Sequence, residues 1–185
     1  GHIIPLFCEE NLINIPDDLK ELIETAVDNS SNGKKPNLLL ALAAVVSKDS
    51  HNKGLSYEIV KEMKLLAKRN QLDSLIVPLR PTLKQKYPLT PIDNYSKWTR
   101  EDGLSFDPWL RVHHKLGGKV FKTSDNCITI EGTIQQWQQW TGLKIPDSGK
   151  YIVDGGLNSL EINVEQNSGR YKDPCIWVKY NIDSK

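Results

Sequence analysis

The segment Leu38–Arg69 limits what this chain can fold into more than any other part of it. Leu38–Val46 is apolar throughout, a polar stretch containing Gly54 follows, and from about Leu55 to Asn70 apolar residues recur at helical spacing. An apolar run without alternation reads as a strand covered on both faces, as at the centre of a mixed or parallel sheet. Its alanines and leucines also suit a buried helix, and periodicity alone leaves the two readings open. The glycine turn and the better helix that follow favour the strand. In that helix Leu55, Ile59, Met63 and Leu66 form the inward stripe, with Glu58, Lys61, Glu62, Lys64, Lys68 and Arg69 toward water. Leu75–Val77 is a second buried run, broken by Pro78 and Pro81. Two strands joined by one helix make a right-handed βαβ unit. A helix that opens at the carboxyl end of a buried strand presents unpaired amides and a positive dipole end, which suits a phosphate.

Bulk properties narrow the partners. The chain has 185 residues and a net charge of +1, with acids and bases interspersed. No basic stripe marks a nucleic-acid surface. No run approaches the roughly 20 apolar residues of a membrane span. Cys8, Cys127 and Cys175 are widely spaced and form no CxxC or Cys/His cluster. They read as reduced thiols of a cytoplasmic protein, with no structural metal. The chain starts on Gly1, directly ahead of an apolar run, which reads as a fragment or a trimmed start.

Elsewhere, Ile3–Phe7 reads as a short strand with an irregularity at Pro5. Pro16-Asp17-Asp18 opens a helix with Leu19, Leu22, Ile23, Ala26 and Val27 on one face, and Asp28–Pro36 is a polar loop. Residues 80–106 are rich in proline and aromatics and read as an ordered, packed insertion. Asp107-Pro108 is an N-cap followed by a first-turn proline, with a helix to Leu116 closed by Gly117-Gly118. Lys119–Lys122 and Ile128–Ile130 are strand-like. Thr133–Thr141 is a short helix with Ile134, Trp137 and Trp140 as candidate inward residues. Leu160–Val164 and Cys175–Tyr180 alternate as two antiparallel strands.

The window His51-Asn52-Lys53-Gly54-Leu55-Ser56, set between strand and helix, resembles the acyl-CoA-binding segment of the GNAT acyltransferases, Gln/Arg-x-x-Gly-x-Gly/Ala. The middle glycine matches; His51 and Ser56 depart from the pattern. Longer phrases resemble a bacterial GNAT-like branch that includes loading domains of polyketide synthases: Pro78-Leu-Arg-Pro-Thr-Leu-Lys, Lys86-Tyr-Pro-Leu-Thr-Pro, Trp98-Thr-Arg-Glu-Asp-Gly, Phe106-Asp-Pro-Trp-Leu-Arg and Trp140-Thr-Gly. The resemblance covers about residues 3–179. It implies one α/β domain over residues 1–185. The sheet would be mixed and mostly antiparallel, with a splayed parallel strand pair and helices on both faces. The family's first strand, two helices and second strand would be missing ahead of Gly1.

The resemblance also implies a function: acyl transfer from a CoA thioester, with acetyl-CoA or another acyl-CoA as co-substrate and no metal. Pantetheine would pair along Val45, Val46 and Ser47, and the pyrophosphate would sit on the amides of Asn52, Lys53, Gly54, Leu55 and Ser56. In the loading branch a threonine and a histidine assist decarboxylation of malonyl-CoA; by phrase these are Thr82 and His113. That gives an alternative function, a decarboxylase and S-acetyltransferase serving an acyl carrier protein. A second alternative is a non-catalytic binding module. Each candidate also has a plain structural reading. Thr82 would be a turn threonine and His113 a helix-end histidine; Arg80 and Arg111 could meet a carboxylate or phosphate as a bidentate fork or pair with surface acids, and Tyr87 or Tyr95 could protonate a thiolate leaving group, as in many GNAT enzymes, or be core.

Overall fold

The computed structural model of the protein describes residues 1–9, 12, 15–45 and 54–182. Seven strands make one sheet in the order β1-β2-β3-β7-β6-β5, and β4 pairs with β7 off that path. β1 is His2–Leu6, β2 Leu38–Ala43, β3 Ser74–Leu79, β4 Lys119–Gly132, β5 Gly149–Ile152, β6 Ser159–Asn163 and β7 Ser168–Asn181. Among the described residues all strand pairings are antiparallel except β2 with β3. The expected mixed sheet with one parallel pair is what forms.

Leu38–Ala43 is a strand, and the burial of its side chains explains the missing alternation. Leu38 and Leu40 pack with Leu22 and Ala26 of α1 (Leu19–Ser31) on one face. Leu39 and Ala41 pack with Val60, Met63 and Ala67 of α2 (Leu55–Arg69) on the other. Helices therefore cover both faces. Two shorter helices, α3 (Ile92–Ser96) and α4 (Pro108–Lys115), join the α2 face through Ile92, Tyr95 and Leu110. α5 (Ile134–Thr141) caps a third cluster through Trp137.

Several local expectations need correcting. Val27 is 54% exposed, and α1 instead buries Asn29, whose amide donates to Phe7 O at 3.1 Å. α1 also runs to Ser31, into the expected loop, because Asn32 caps Asp28 O with both its backbone and side-chain N–H. In α2 the inward stripe rests on Val60, Met63 and Ala67, while Leu55 is 40% exposed. β3 is not broken at Pro78; it pairs with β7 from Ser74↔Asn181 through Leu79↔Ile176. A proline is tolerated there because β3 no longer pairs with β2 beyond Ile76. The two short runs at 119–130 are one long strand, β4, with irregular register at Val120/Lys122 and Ser124/Ile128. β7 does not alternate at its centre: Ile176, Trp177 and Val178 are all fully buried. β5 has no counterpart among the sequence expectations. Trp140 is 53% exposed, with its ring edge-on to Trp137 at 5.1 Å. Cys127 and Cys175 are joined by a disulfide, against the expectation of three reduced thiols. The irregular turn of β4 between Ser124 and Ile128 brings Cys127 opposite Cys175, Cα to Cα 5.8 Å. Cys8 remains free. No helix among the described residues is long and apolar enough to cross a membrane.

Candidate active site

The parallel pair is short. β2 and β3 match at Leu38↔Ser74, Leu39↔Leu75 and Leu40↔Ile76, and no pairing follows, although both strands continue. Each stays backed by its outer neighbour: β1 follows β2 to His2↔Ala43, and β7 follows β3 to Leu79↔Ile176. The two central strands therefore part at their carboxyl ends while the sheet on either side holds. Three residues on each side of the opening give facing edges roughly 10 Å long, and those of their backbone groups that point across the gap, with no N–H at Pro78, are available to an extended ligand.

α2 leads away from this opening. Its N-cap, Gly54, has φ 74°, a left-handed conformation that glycine adopts without cost. The cap has no side-chain hydrogen bond, and Tyr57 N and Glu58 N both turn back to Gly54 O. The amides of Leu55 and Ser56 are thus the first-turn donors offered to a ligand. Glu58 is unhelpful to an anion here, but its carboxylate is engaged by Lys61 at 2.9 Å. Of the expected cradle, Val45 is 80% exposed, and Gly54, Leu55 and Ser56 form the head of the helix. Val46, Ser47, Asn52 and Lys53 lie outside the described residues. The open strand edges and the uncapped helix head fit a long amide chain ending in phosphate.

Thr82 is exposed, three residues past the end of β3. The next amide, Leu83 N, donates to Asp107 Oδ2 at 2.9 Å, which places Thr82 beside the N-cap of α4. His113 lies six residues beyond Asp107, about 9 Å farther along the helix axis. Thr82 and His113 thus stand toward opposite ends of α4. His113 has no exposed surface. Its Nδ1 is 2.7 Å from the Tyr180 hydroxyl, Trp109 meets its ring edge-on at 4.4 Å, and Nε2 has no hydrogen-bond partner among the described residues. Burial first, and the charge of neighbouring His114 second, push the His113 pKa down to about 4. At neutral pH the ring is uncharged. His114 instead faces Ser105, Oγ to Nδ1 2.5 Å.

No family model matches the sequence. Among solved structures, the loading GNATL domain of CurA from Lyngbya majuscula matches with a TM-score of 0.60 over 99% of this chain and 70% of that one, at 15% identity. That likeness concerns the fold. Among curated proteins, arginine N-acetyltransferase avaD from Aspergillus versicolor is 30% identical over 203 residues, covering 98% of this chain and 69% of that protein. The chain belongs to the GNAT superfamily of acyltransferases.

Around the site of this GNAT chain, several side chains make long-range contacts that the sequence does not show. Asp107 is 2% exposed and accepts four bonds: from Leu83 N, Tyr95 Oη, Trp109 N and Leu110 N. One carboxylate so ties the exit of β3, the aromatic insertion and the head of α4 together. Tyr95 is locked in this network, and burial first, then Asp107, pushes its pKa far up, which suits the core role rather than proton donation. Lys84 is 1% exposed and donates to Tyr87 O and Leu157 O. Arg80 pairs with Asp173, Nε to Oδ2 2.7 Å, and Arg111 holds the carbonyls of Ser105 and Phe106. The Asp-Pro cap of α4 is visible in sequence; the distant partners of Asp107 and Asp173 carry no local signal. Tyr87, Tyr95, Trp98 and Phe106 pack as one aromatic cluster, with centroids 4.9 to 6.1 Å apart.

Proposed function

We propose that this chain transfers an acyl group, acetyl being the first candidate, from a coenzyme A thioester to a nitrogen of a small cationic amino acid such as arginine. The parting of β2 from β3 at the head of α2 carries the reading. The pantetheine amides would pair with the strand edges past Leu40 and Ile76, and the pyrophosphate would meet the amides of Leu55 and Ser56. The thioester carbonyl would then lie near the exit of β3. Attack by an amine there needs alignment of the two reactants and a donor for the developing oxyanion. Thr82, with an exposed hydroxyl, is the proposed donor. His113, buried and toward the other end of α4 from Thr82, is proposed as a proton carrier that acts at a distance from the carbonyl, through Nε2, the ring nitrogen without a hydrogen-bond partner among the described residues. The arginine acceptor is drawn from the named relative.

The protein as it exists is incubated with acetyl-CoA and arginine while CoA thiol release is followed and the product is weighed by mass spectrometry. Acetylarginine is the expected outcome, and no thiol release with arginine or other amines would overturn transfer to nitrogen. Release of carbon dioxide from malonyl-CoA, with acetyl delivered to a carrier-protein phosphopantetheine thiol, would place the chain with the loading domains instead. No heat of binding with CoA would leave only a scaffold.

A further inference from the structure

We infer that Arg80 reads the carboxylate of an amino-acid acceptor. The inference rests on the transfer reading above and deepens it. Arg80 directly follows Leu79, the last residue of β3, so its backbone leaves the sheet beside the opened strand pair while its side chain reaches to the β7 side of β3. Its guanidinium is already held in plane. Nε donates to Asp173 Oδ2 at 2.7 Å, and Nη2 donates to Asp173 Oδ1 at 3.3 Å and to Gly155 O at 2.8 Å. These bonds leave from Nε and Nη2 only; Nη1, with two N–H donors, makes no hydrogen bond among the described residues.

The pair is asymmetric in a way that suits an incoming anion. The Arg80 side chain is 51% exposed and that of Asp173 is 11% exposed. Tyr171 donates to Asp173 Oδ1 at 2.5 Å, and Leu157 N donates to the Tyr171 hydroxyl at 2.8 Å. The acid is therefore held inside while the unused end of the cation faces water. An anion arriving from solvent meets guanidinium first. Orienting a free arginine side chain costs rotamer entropy, and here Asp173 and Gly155 have fixed it before the ligand binds. The phosphates of the acyl donor belong at the head of α2, so a carboxylate of the acceptor is the anion left for Arg80. Guanidinium with carboxylate is a charge-assisted pair, among the stronger hydrogen bonds.

Arginine and agmatine differ only by that carboxylate, and they make the test. Wild-type protein should favour arginine in kcat/KM by about tenfold or more, the range for a hydrogen bond to a charged group. Arg80→Met should abolish the preference by raising the KM for arginine alone, with the KM for acetyl-CoA unchanged, and Arg80→Lys should recover part of it. Thermal melting checks that each variant folds. Equal use of arginine and agmatine by wild type, or an equal loss on both in Arg80→Met, overturns the inference and leaves the transfer reading standing. If neither is acetylated, the arginine-acceptor reading falls, and calorimetry with the CoA-loaded protein decides this one. Binding of arginine in preference to agmatine supports it; equal binding, or none, overturns it. If Arg80→Met does not fold, the wild-type comparison and Arg80→Lys decide the matter in the same way.

Discussion

His113 shows how much a single buried ring governs. With no exposure and a Tyr180 hydroxyl against Nδ1, the imidazole is kept neutral and its pKa is pushed from 6.5 down to about 4. An unfolded chain binds that proton near pH 6.5 and the folded chain does not. Stability is therefore fully present above about pH 6.5, is lost as pH falls toward 4, and changes no further below that. The loss amounts to roughly 3 kcal/mol. Urea unfolding across this range should show the slope, and His113→Gln, which keeps a partner for Tyr180, should remove it. The same slope in the variant would show that His113 is not the group responsible. A neutral ring also restricts what His113 can do at the thioester. It can donate or accept one hydrogen bond there, but it brings no positive charge to an oxyanion.

At the scale of elements, legibility in the sequence follows locality. Helix starts are readable because their chemistry is contiguous: Asp107 caps Trp109 and Leu110, and Thr133 with Gln136 closes a capping box. The helix at Leu55 is readable from hydrophobic pattern, and the strand at Leu38 from the glycine turn and helix that follow its apolar run. What fails depends on neighbours far along the chain. Pro78 ends a strand by propensity, yet β3 continues because pairing with β7 holds it from the other side. The alternation assigned to β7 is overridden by cover on both faces. The cysteine pairing is illegible because the turn that aligns Cys127 with Cys175 is set by the β4–β7 register, 48 residues apart. That crosslink should matter to the ladder it spans. Closing a loop of this length stabilises by about 4 kcal/mol in the chain-entropy account. Denatured protein without reductant should show one reactive thiol, Cys8, and three after reduction, with the unfolding midpoint lowered by reductant. Three thiols before reduction would refute the bond.

At the scale of the whole molecule, the sheet does two jobs with one device. β7 carries β4 along one edge and β3 and β6 in turn along the other, which keeps the core closed, while β2 and β3 stop pairing past Leu40 and Ile76. The glycine turn and the helix hint at a ligand end. The opening itself requires the register between Leu40 and Ile76 to stop while the backing strands run on, and no local pattern encodes that. The proposed binding groups are backbone groups, so the test that suits them is amide exchange rather than mutation. In the free chain, the edge amides that point across the opening, together with Leu55 and Ser56 at the head of α2, lack a backbone partner there and should exchange fast. Saturating acetyl-CoA should slow exchange at Ala41–Ala43 and at Leu55 and Ser56, while the β5–β6 hairpin is unchanged. The same ligand at 100 times its Kd should raise the unfolding free energy by about 2.7 kcal/mol. Protection spread evenly over the sheet would mean that the ligand stabilises the fold without entering the opening. Protection at the helix head alone would seat the phosphates there and send the acyl chain along another path, away from Thr82. Only slowing at both ends of the opening agrees with a thioester laid between the parted strands.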